Sequence, residues 1–309
     1  MRIALISDIH GNYPALMNVV EDAALNNVDK MVFVGDYIFD LPFSNEVVRC
    51  LMKLENAHII KGNKEAHLGT LANENQNNWT SDQLGGIYQT YRELAPDELS
   101  FLNELDDECR IEINSNLSIY AAHVPCIFEQ QPDKTSCTSS NYHKRMLKRP
   151  FTHEQYLVEF NDIVNTNECK ALIDQINSNV IVFGHNHLQA FAYCGDKLII
   201  NPGSCGQPLD FNSDAAYTIL EVATDGLNVI ERRVPYDVEA VIKQAKESVL
   251  YEKGRIWSEL VFLALRCGRD YFGMYFEIAG QIARSKNEEG SFFSNTTWHE
   301  AWSVFEETI

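Results

Sequence analysis

Seven residues in the first two-thirds of the chain carry side chains that bind divalent cations: Asp8 and His10 in SDIHGN, Asp36 in FVGDY, Asn63 in KGNKE, His123 in AAHVP, and His185 with His187 in FGHNH. Each follows a short apolar run, where a strand hands over to a loop, and α/β sheets put their binding groups at the carboxyl ends of strands. Alone, a DxH or a GD pair is common, and a single strand-end histidine packs without any ligand. Two imidazoles directly after VIVF are harder to explain by packing, and the joint order of all seven points to two cations held side by side. Such a pair serves chiefly to hydrolyse phosphate esters. A hydroxide acidified by the metals attacks phosphorus in line while the metals neutralise charge on the phosphoryl oxygens.

The spacing adds detail. Asp8 and His10 are two residues apart, so both can point the same way as the chain leaves the first strand; His185 and His187 repeat the arrangement and can reach different metals. Gly35 lets the backbone come close at Asp36, which suits a bridging carboxylate, and Asn63, again after a glycine, offers a neutral amide oxygen. Lys64 beside two cations could bind phosphate or, with a depressed pKa, donate a proton. His67, one helical turn after Asn63, is a candidate general acid. His123, Lys64 and His67 are therefore the candidate catalytic residues, and Asn12 and Asn63 the candidate substrate-binding ones. Asn201 in the Asn201–Gly203–Ser204 turn reads as a fixer of loop geometry, with Gly203 supplying an unusual dihedral.

The elements that must position these groups alternate at first. RIALIS, MVFVG and AHIIKG predict three strands, with helices over Pro14–Asn26 and Asn45–Leu54 between them, a βαβαβ rhythm that implies parallel strands in a buried sheet. Residues 64–108 break the rhythm with helix-like and Asn/Gln-rich segments. CRIEI and LSIYAAH return as strands, and Pro125 to Asn165 shows no clear periodicity. Both irregular stretches read as cap-like insertions, at about 64–108 and 125–165, over the ligand-bearing edge of the sheet. The second carries His143, Lys144, Arg145, Lys148 and Arg149, either a solvated helix face or a cap that recognises phosphates. ECKALIDQI predicts a helix, VIVFGH a strand, and QAFAYCGDKLIIN a hairpin about a Gly-Asp turn. The run through Val234, turning at Asp225-Gly226, repeats that pattern. A core over 1–236 and a helical extension over 237–309 follow, the latter a docked appendage or an oligomerisation element whose aromatic stripe reads as core.

A chain of 309 residues with 45% hydrophobic and 22% charged residues is an ordinary globular protein. Its net charge of -19 and pI near 4.8 disfavour long nucleic acid and anionic membranes as partners, whereas a small phosphorylated substrate is compatible, because bound divalent ions invert the local field. Met1 and Arg2 lead straight into IALIS with no visible targeting segment. The eight dispersed cysteines, Cys126 and Cys205 near the site included, read as reduced thiols of a cytoplasmic protein.

DxH, GD, GN, H and GHxH in this order resemble the calcineurin-like metallophosphoesterase superfamily. SDIHGNYPAL, VGDYIFDLPFSNEVV, IIKGN, LAPDELSFLNEL, FGHNH and NPGSCGQP resemble its bacterial and archaeal branch, which includes the YfcE-like phosphodiesterases. The resemblance covers about residues 1–236. It implies a two-sheet α/β sandwich with Asp8, His10 and His187 on one metal, Asn63, His123 and His185 on the other, and Asp36 bridging. Members that carry GDxVDRG have a phosphate-binding arginine that is missing from the matching Gly35–Leu41 run of this chain, where Asp40 takes its place, and members with GNHE or GNHD have a histidine where it has Lys64. The implied activity is hydrolysis of a small phosphodiester or nucleotide phosphoanhydride with two divalent ions, manganese in vitro, with iron, zinc, nickel or cobalt as alternatives. An asymmetrical dinucleoside-polyphosphate hydrolase, a Ser/Thr protein phosphatase and a non-catalytic scaffold are the alternatives to that activity.

Overall fold

The computed structural model describes residues 1–125, 152–224, 226–289 and 292–309. Cys126, Cys137, the basic cluster His143 to Arg149 and Asp225 lie outside the described residues.

Three short apolar segments, β1 (Arg2–Ile6), β2 (Lys30–Val34) and β3 (Ala57–Ile60), pair in parallel. They are linked by α1 (Tyr13–Leu25) and α2 (Ser44–Leu51). Their side chains alternate between two covered faces, as strand geometry demands. In β1, Ile3 and Leu5 enter the core between the sheets, while Ala4 and Ile6 pack under the helices. Antiparallel β9 (Ala215–Val222) and β10 (Leu227–Val234) complete a sheet of order β10-β9-β1-β2-β3.

The second sheet has order β4-β5-β6-β8-β7, built from Glu108–Asn114, Leu117–Ala122, Val180–Val182, Ala190–Cys194 and Lys197–Asn201 as β4 to β8. Val180, Val182, Leu198 and Ile200 face Ile3, Leu5, Val32 and Val34 across the sandwich. On its outer face Ile181 and Ile199 meet Tyr156, Phe160 and Ile173 of two further helices. The expected two-sheet α/β sandwich is the observed one.

The irregular stretch before Asn165 hides a helix, His153–Val164, that periodicity alone did not reveal. Its start is a capping box, in which Thr152 Oγ1 accepts from Gln155 N and Gln155 Oε1 accepts from Thr152 N. Tyr156, Phe160 and Val164 bury its inner face.

The C-terminal extension forms helices Val238–Lys246, Val249–Lys253, Arg255–Cys267, Phe272–Ser285 and Asn295–Glu306. One apolar cluster docks it to the core, joining Val241, Ile242, Val261, Phe262 and Leu265 to Leu41. A second cluster, with Tyr275, Trp298 and Phe305, is internal to it.

The 64–108 insertion also meets the extension. A Cβ on Gly85 would lie 2.0 Å from Lys253 O, so only glycine permits that approach. Asn295 clamps the Thr80–Asp82 loop, accepting from Asp82 N and donating to Thr80 O. No helix among the described residues is long and apolar enough to cross a membrane.

Candidate metal centre

The loops after β1, β2, β3, β5 and β6 bring all seven predicted ligand residues to one edge of the sandwich. His10 Nε2 and His187 Nε2 face each other at 3.1 Å, and Asp8 Oδ1 lies 3.8 and 3.4 Å from them. On the other side Asn63 Oδ1 lies 3.0 Å from His123 Nε2 and 3.1 Å from His185 Nδ1. Asp36 Oδ2 stands between the groups, 3.8 Å from His10 Nε2 and 3.4 Å from His123 Nε2. Asp8 Oδ1 also reaches His123 Nε2 at 3.9 Å.

The backbone pays attention to these positions. Asp8, His10, Asp36, His185 and His187 all have φ between 51° and 72°, a left-handed conformation that costs a non-glycine residue about 1–2 kcal/mol. Strain of this kind persists where the surroundings over-determine it. Asp8 N donates to Gly35 O, His10 N to Asp36 O, and Ser204 Oγ to Asp8 O. Asn201 holds the His185 loop, donating to Gly184 O and Asn186 Oδ1 while accepting from Gly203 N. The two glycines before Asp36 and Asn63 are needed for contact: a Cβ on Gly35 would fall 2.8 Å from His123 Nδ1, and one on Gly62 2.3 Å from Asp36 Oδ1.

Whether these groups suit a cation can be read from their hydrogen bonds. Nδ1 of His123 lies 2.7 Å from Val34 O, and Nδ1 of His187 lies 2.7 Å from Gln207 O. Nδ1 of His10 lies 2.7 Å from Asp40 Oδ2. All three partners only accept, so each Nδ1 carries the proton and each neutral ring turns an Nε2 lone pair inward. Outer acceptors that fix ring orientation in this way are the usual support of metal-binding histidines. Lone pairs and carboxylates that converge on one another need a positive charge between them. The residues present therefore fit bound divalent ions.

Without metal, protons take that place. Burial opposes charge on His10, but Asp40, Asp8 and Asp36 outweigh it and push the imidazolium up to about 9. His123 is likewise disfavoured by burial yet raised to about 10, chiefly by Asp36 and Asp8. Burial and the neighbouring His123 charge lower His185 to about 4. Asp36 is held below the usual carboxylate range, because His123 and His10 overcome the effect of burial. Raised histidines stabilise the metal-free fold fully below their unfolded value near 6.5, and that contribution fades as pH rises through 9 to 10. Metal binding at pH 7.5 should therefore expel about two protons, one each from His10 and His123. Calorimetric titration of metal in buffers of different ionisation enthalpy measures this, and zero proton release would contradict it.

The remaining candidate residues have the following surroundings. Asn12 is fully buried, and its amide is committed: Nδ2 donates to Gly206 O and Tyr236 OH, and Oδ1 accepts from Ala15 N to cap α1. It has no capacity for substrate. His67 sits edge-on to Phe39 at 6.5 Å and is not among the residues that line the cavity beside the centre. Lys64 does line that cavity. Burial alone would lower its pKa, but Asp40, Asp36, Glu65 and Asp8 raise it in the metal-free centre, where it is an ammonium. Cys205 is buried, with its thiol pushed up by burial and Asp8, as befits packing.

Two buried carboxylates escaped the sequence reading. Glu65 accepts from Asp36 N, Tyr37 N and Gly62 N, which ties the two ligand loops together. Asp40 bridges His10 to the extension, accepting from Trp257 Nε1 at 2.7 Å. The signal for Asp40 was the second aspartate in GDYIFD. Replacing Asp40 by Asn should lower metal affinity about 10–100-fold, as loss of an outer support of a metal-binding histidine typically does; dialysis against graded free metal checks it, and unchanged affinity would refute the role.

The cavity beside the centre holds about 430 Å³. Among the described residues its walls come from His10, Asp36, Lys64 and His185 on one side and from Trp257 and Phe276 of the extension on the other. Of the 64–108 insertion only Lys64 is among the lining residues.

The calcineurin-like phosphoesterase superfamily domain matches residues 1–225. The protein MJ0912 of Methanocaldococcus jannaschii is 26% identical over 278 residues, covering 84% of this chain and 97% of that protein. Two crystal structures share the fold: a metallophosphoesterase from Sphaerobacter thermophilus at TM-score 0.61 and 20% identity, and the protein PH1004 from Pyrococcus horikoshii at TM-score 0.61 and 16% identity. Each covers 87% of this chain and 99% of the other. With the match spanning both ligand-bearing halves of the sandwich, the chain belongs to the calcineurin-like phosphoesterase superfamily, a metal-dependent family.

Proposed function

We propose that this chain hydrolyses a small phosphodiester or nucleotide phosphoanhydride at a centre of two divalent ions, with manganese active in vitro. The observation that carries the reading is the pair of donor groups meeting at Asp36 Oδ2, with His10 on one side and His123 on the other. Asp8, His10 and His187 would hold one ion and Asn63, His123 and His185 the other. Bound there, the ions would supply Lewis acidity and lower the pKa of water to near neutral.

The chain's own side chains do the rest. The Lys64 ammonium lines the cavity and meets a phosphoryl oxygen as a point charge. The size of the cavity suits a mononucleotide-sized ligand, and the acidic surface disfavours a polymeric one. The GNHE histidine is replaced by Lys64, and His67 does not line the cavity, which leaves the leaving group without a histidine acid at that position. Substrates with good leaving groups are favoured, such as aryl diesters or nucleotide anhydrides.

Turnover of bis-p-nitrophenyl phosphate, p-nitrophenyl phosphate, diadenosine tetraphosphate and a phosphopeptide, each with manganese and with chelator, tests the reading. Chelator-sensitive hydrolysis of the diester or the tetraphosphate is expected. Hydrolysis of the phosphopeptide alone would move the assignment to a protein phosphatase, and no turnover with both metals bound would move it to a scaffold.

A further inference from the structure

The helix Phe272–Ser285 presents two apolar faces. Tyr275, Ala279 and Ala283 bury one inside the extension. Phe272 and Phe276, four residues apart and so on one side of the helix, are only partly buried and line the cavity beside the metal centre. Trp257 completes the wall. Its ring centroid lies 4.7 Å from that of Phe272 and 6.2 Å from that of Phe276, and its Nε1 donates to Asp40, the partner of His10. Gly273 lines the same wall without a side chain to fill it. Three partly bare aromatic rings thus begin one residue away from a predicted metal ligand, in a cavity whose other side is charged.

At the same wall Asp270 adds a carboxylate. Its Oδ1 accepts from Phe272 N at 2.7 Å, which fixes the side chain at the start of the helix. A carboxylate repels a second phosphate and accepts only from N–H or O–H donors. A flat ring that slides along the aromatic wall would present its donor-bearing edge to Asp270 and its phosphate to Lys64.

We propose that Trp257, Phe272, Phe276 and Asp270 form a nucleobase subsite, which makes the substrate a nucleotide ester or anhydride whose base offers N–H donors, guanine being the best match. This rests on the phosphoesterase reading above and narrows its substrate class. Stacking on aromatic side chains is tolerant of base identity and strong enough to bias binding tenfold or more. The Asp270 carboxylate then supplies the choice among bases, as donor–carboxylate pairs do for guanine-like edges.

Calorimetric binding of GMP and of ribose 5-phosphate to the manganese-loaded full chain separates the two layers of the claim. GMP should bind at least about tenfold more tightly than ribose 5-phosphate. Phe276→Leu should remove most of that preference while the ribose 5-phosphate affinity stays as in the unmodified chain, which also reports that the variant is folded. Asp270→Asn should weaken GMP about tenfold with no loss for ribose 5-phosphate. Equal binding of the two ligands by the unmodified chain would overturn the base subsite and leave the phosphate site standing. Binding of neither ligand in manganese would overturn both.

Discussion

Replacing Asp36 by Asn is expected to lower kcat/KM by about a thousandfold or more, roughly 4 kcal/mol of transition-state stabilisation. Asp36 Oδ2 is the atom that faces His10 on one side and His123 on the other. An amide has nearly the same shape but no charge, so it could not offset two dications held side by side. The fold should survive, because Oδ1 keeps its acceptor role toward Lys64 N and Glu65 still ties the loop through Asp36 N. Metal analysis together with steady-state kinetics checks the expectation. More than a few per cent of residual turnover with full metal content would remove Asp36 from the bridging position.

Chelation should destabilise the protein as well as silence it. A ligand that binds only the folded chain contributes about 4 kcal/mol at a thousandfold excess over its Kd. At roughly 2 °C per kcal/mol for a chain of this size, removal of one such ion lowers Tm by about 8 °C. The physical source is visible in the metal-free arrangement: Asp8 and Asp36 are both buried beside each other's ligand set, and five predicted ligand residues sit in the left-handed region. Scanning calorimetry with manganese and with chelator measures the shift. Asp36→Asn should show a much smaller one. An unchanged Tm in the original chain would mean that the folded chain binds no metal at this site, contrary to the assignment.

Much of the scaffold was legible because buried parallel strands write themselves as short apolar runs. Ile3 and Leu5 alternate with Ala4 and Ile6 between two covered faces, and β1, β2, β3, β5 and β6 each end one to three residues before a side chain suited to a metal. The GHNH pair and the glycines before Asp36 and Asn63 were similarly direct, since close backbone approach leaves no other residue in place.

What escaped was carried by distant or ambiguous partners. Trp257 meets Asp40 across 217 residues, and no local pattern separates a helix tryptophan that packs from one that lines a cavity. Glu65 looks like a surface residue in the first turn of a helix, yet it is fully buried among three backbone donors. Asn12 looked free to touch substrate until Gly206 and Tyr236, both far along the chain, took its amide. The helix His153–Val164 was announced by Thr152 and Gln155, but its apolar spacing is short and easily lost among polar neighbours. The contact of the 64–108 segment with the extension was equally hidden, because Gly85 meets Lys253 and Asp82 meets Asn295 across long stretches of chain.

The central claim is that two cations at this edge perform the chemistry, and titration of metal-stripped protein with manganese tests it most directly. Hydrolysis of bis-p-nitrophenyl phosphate, followed against equivalents of bound metal, should rise to a plateau only when two ions are bound per chain. Full turnover in chelator, or none with two ions bound, would contradict it.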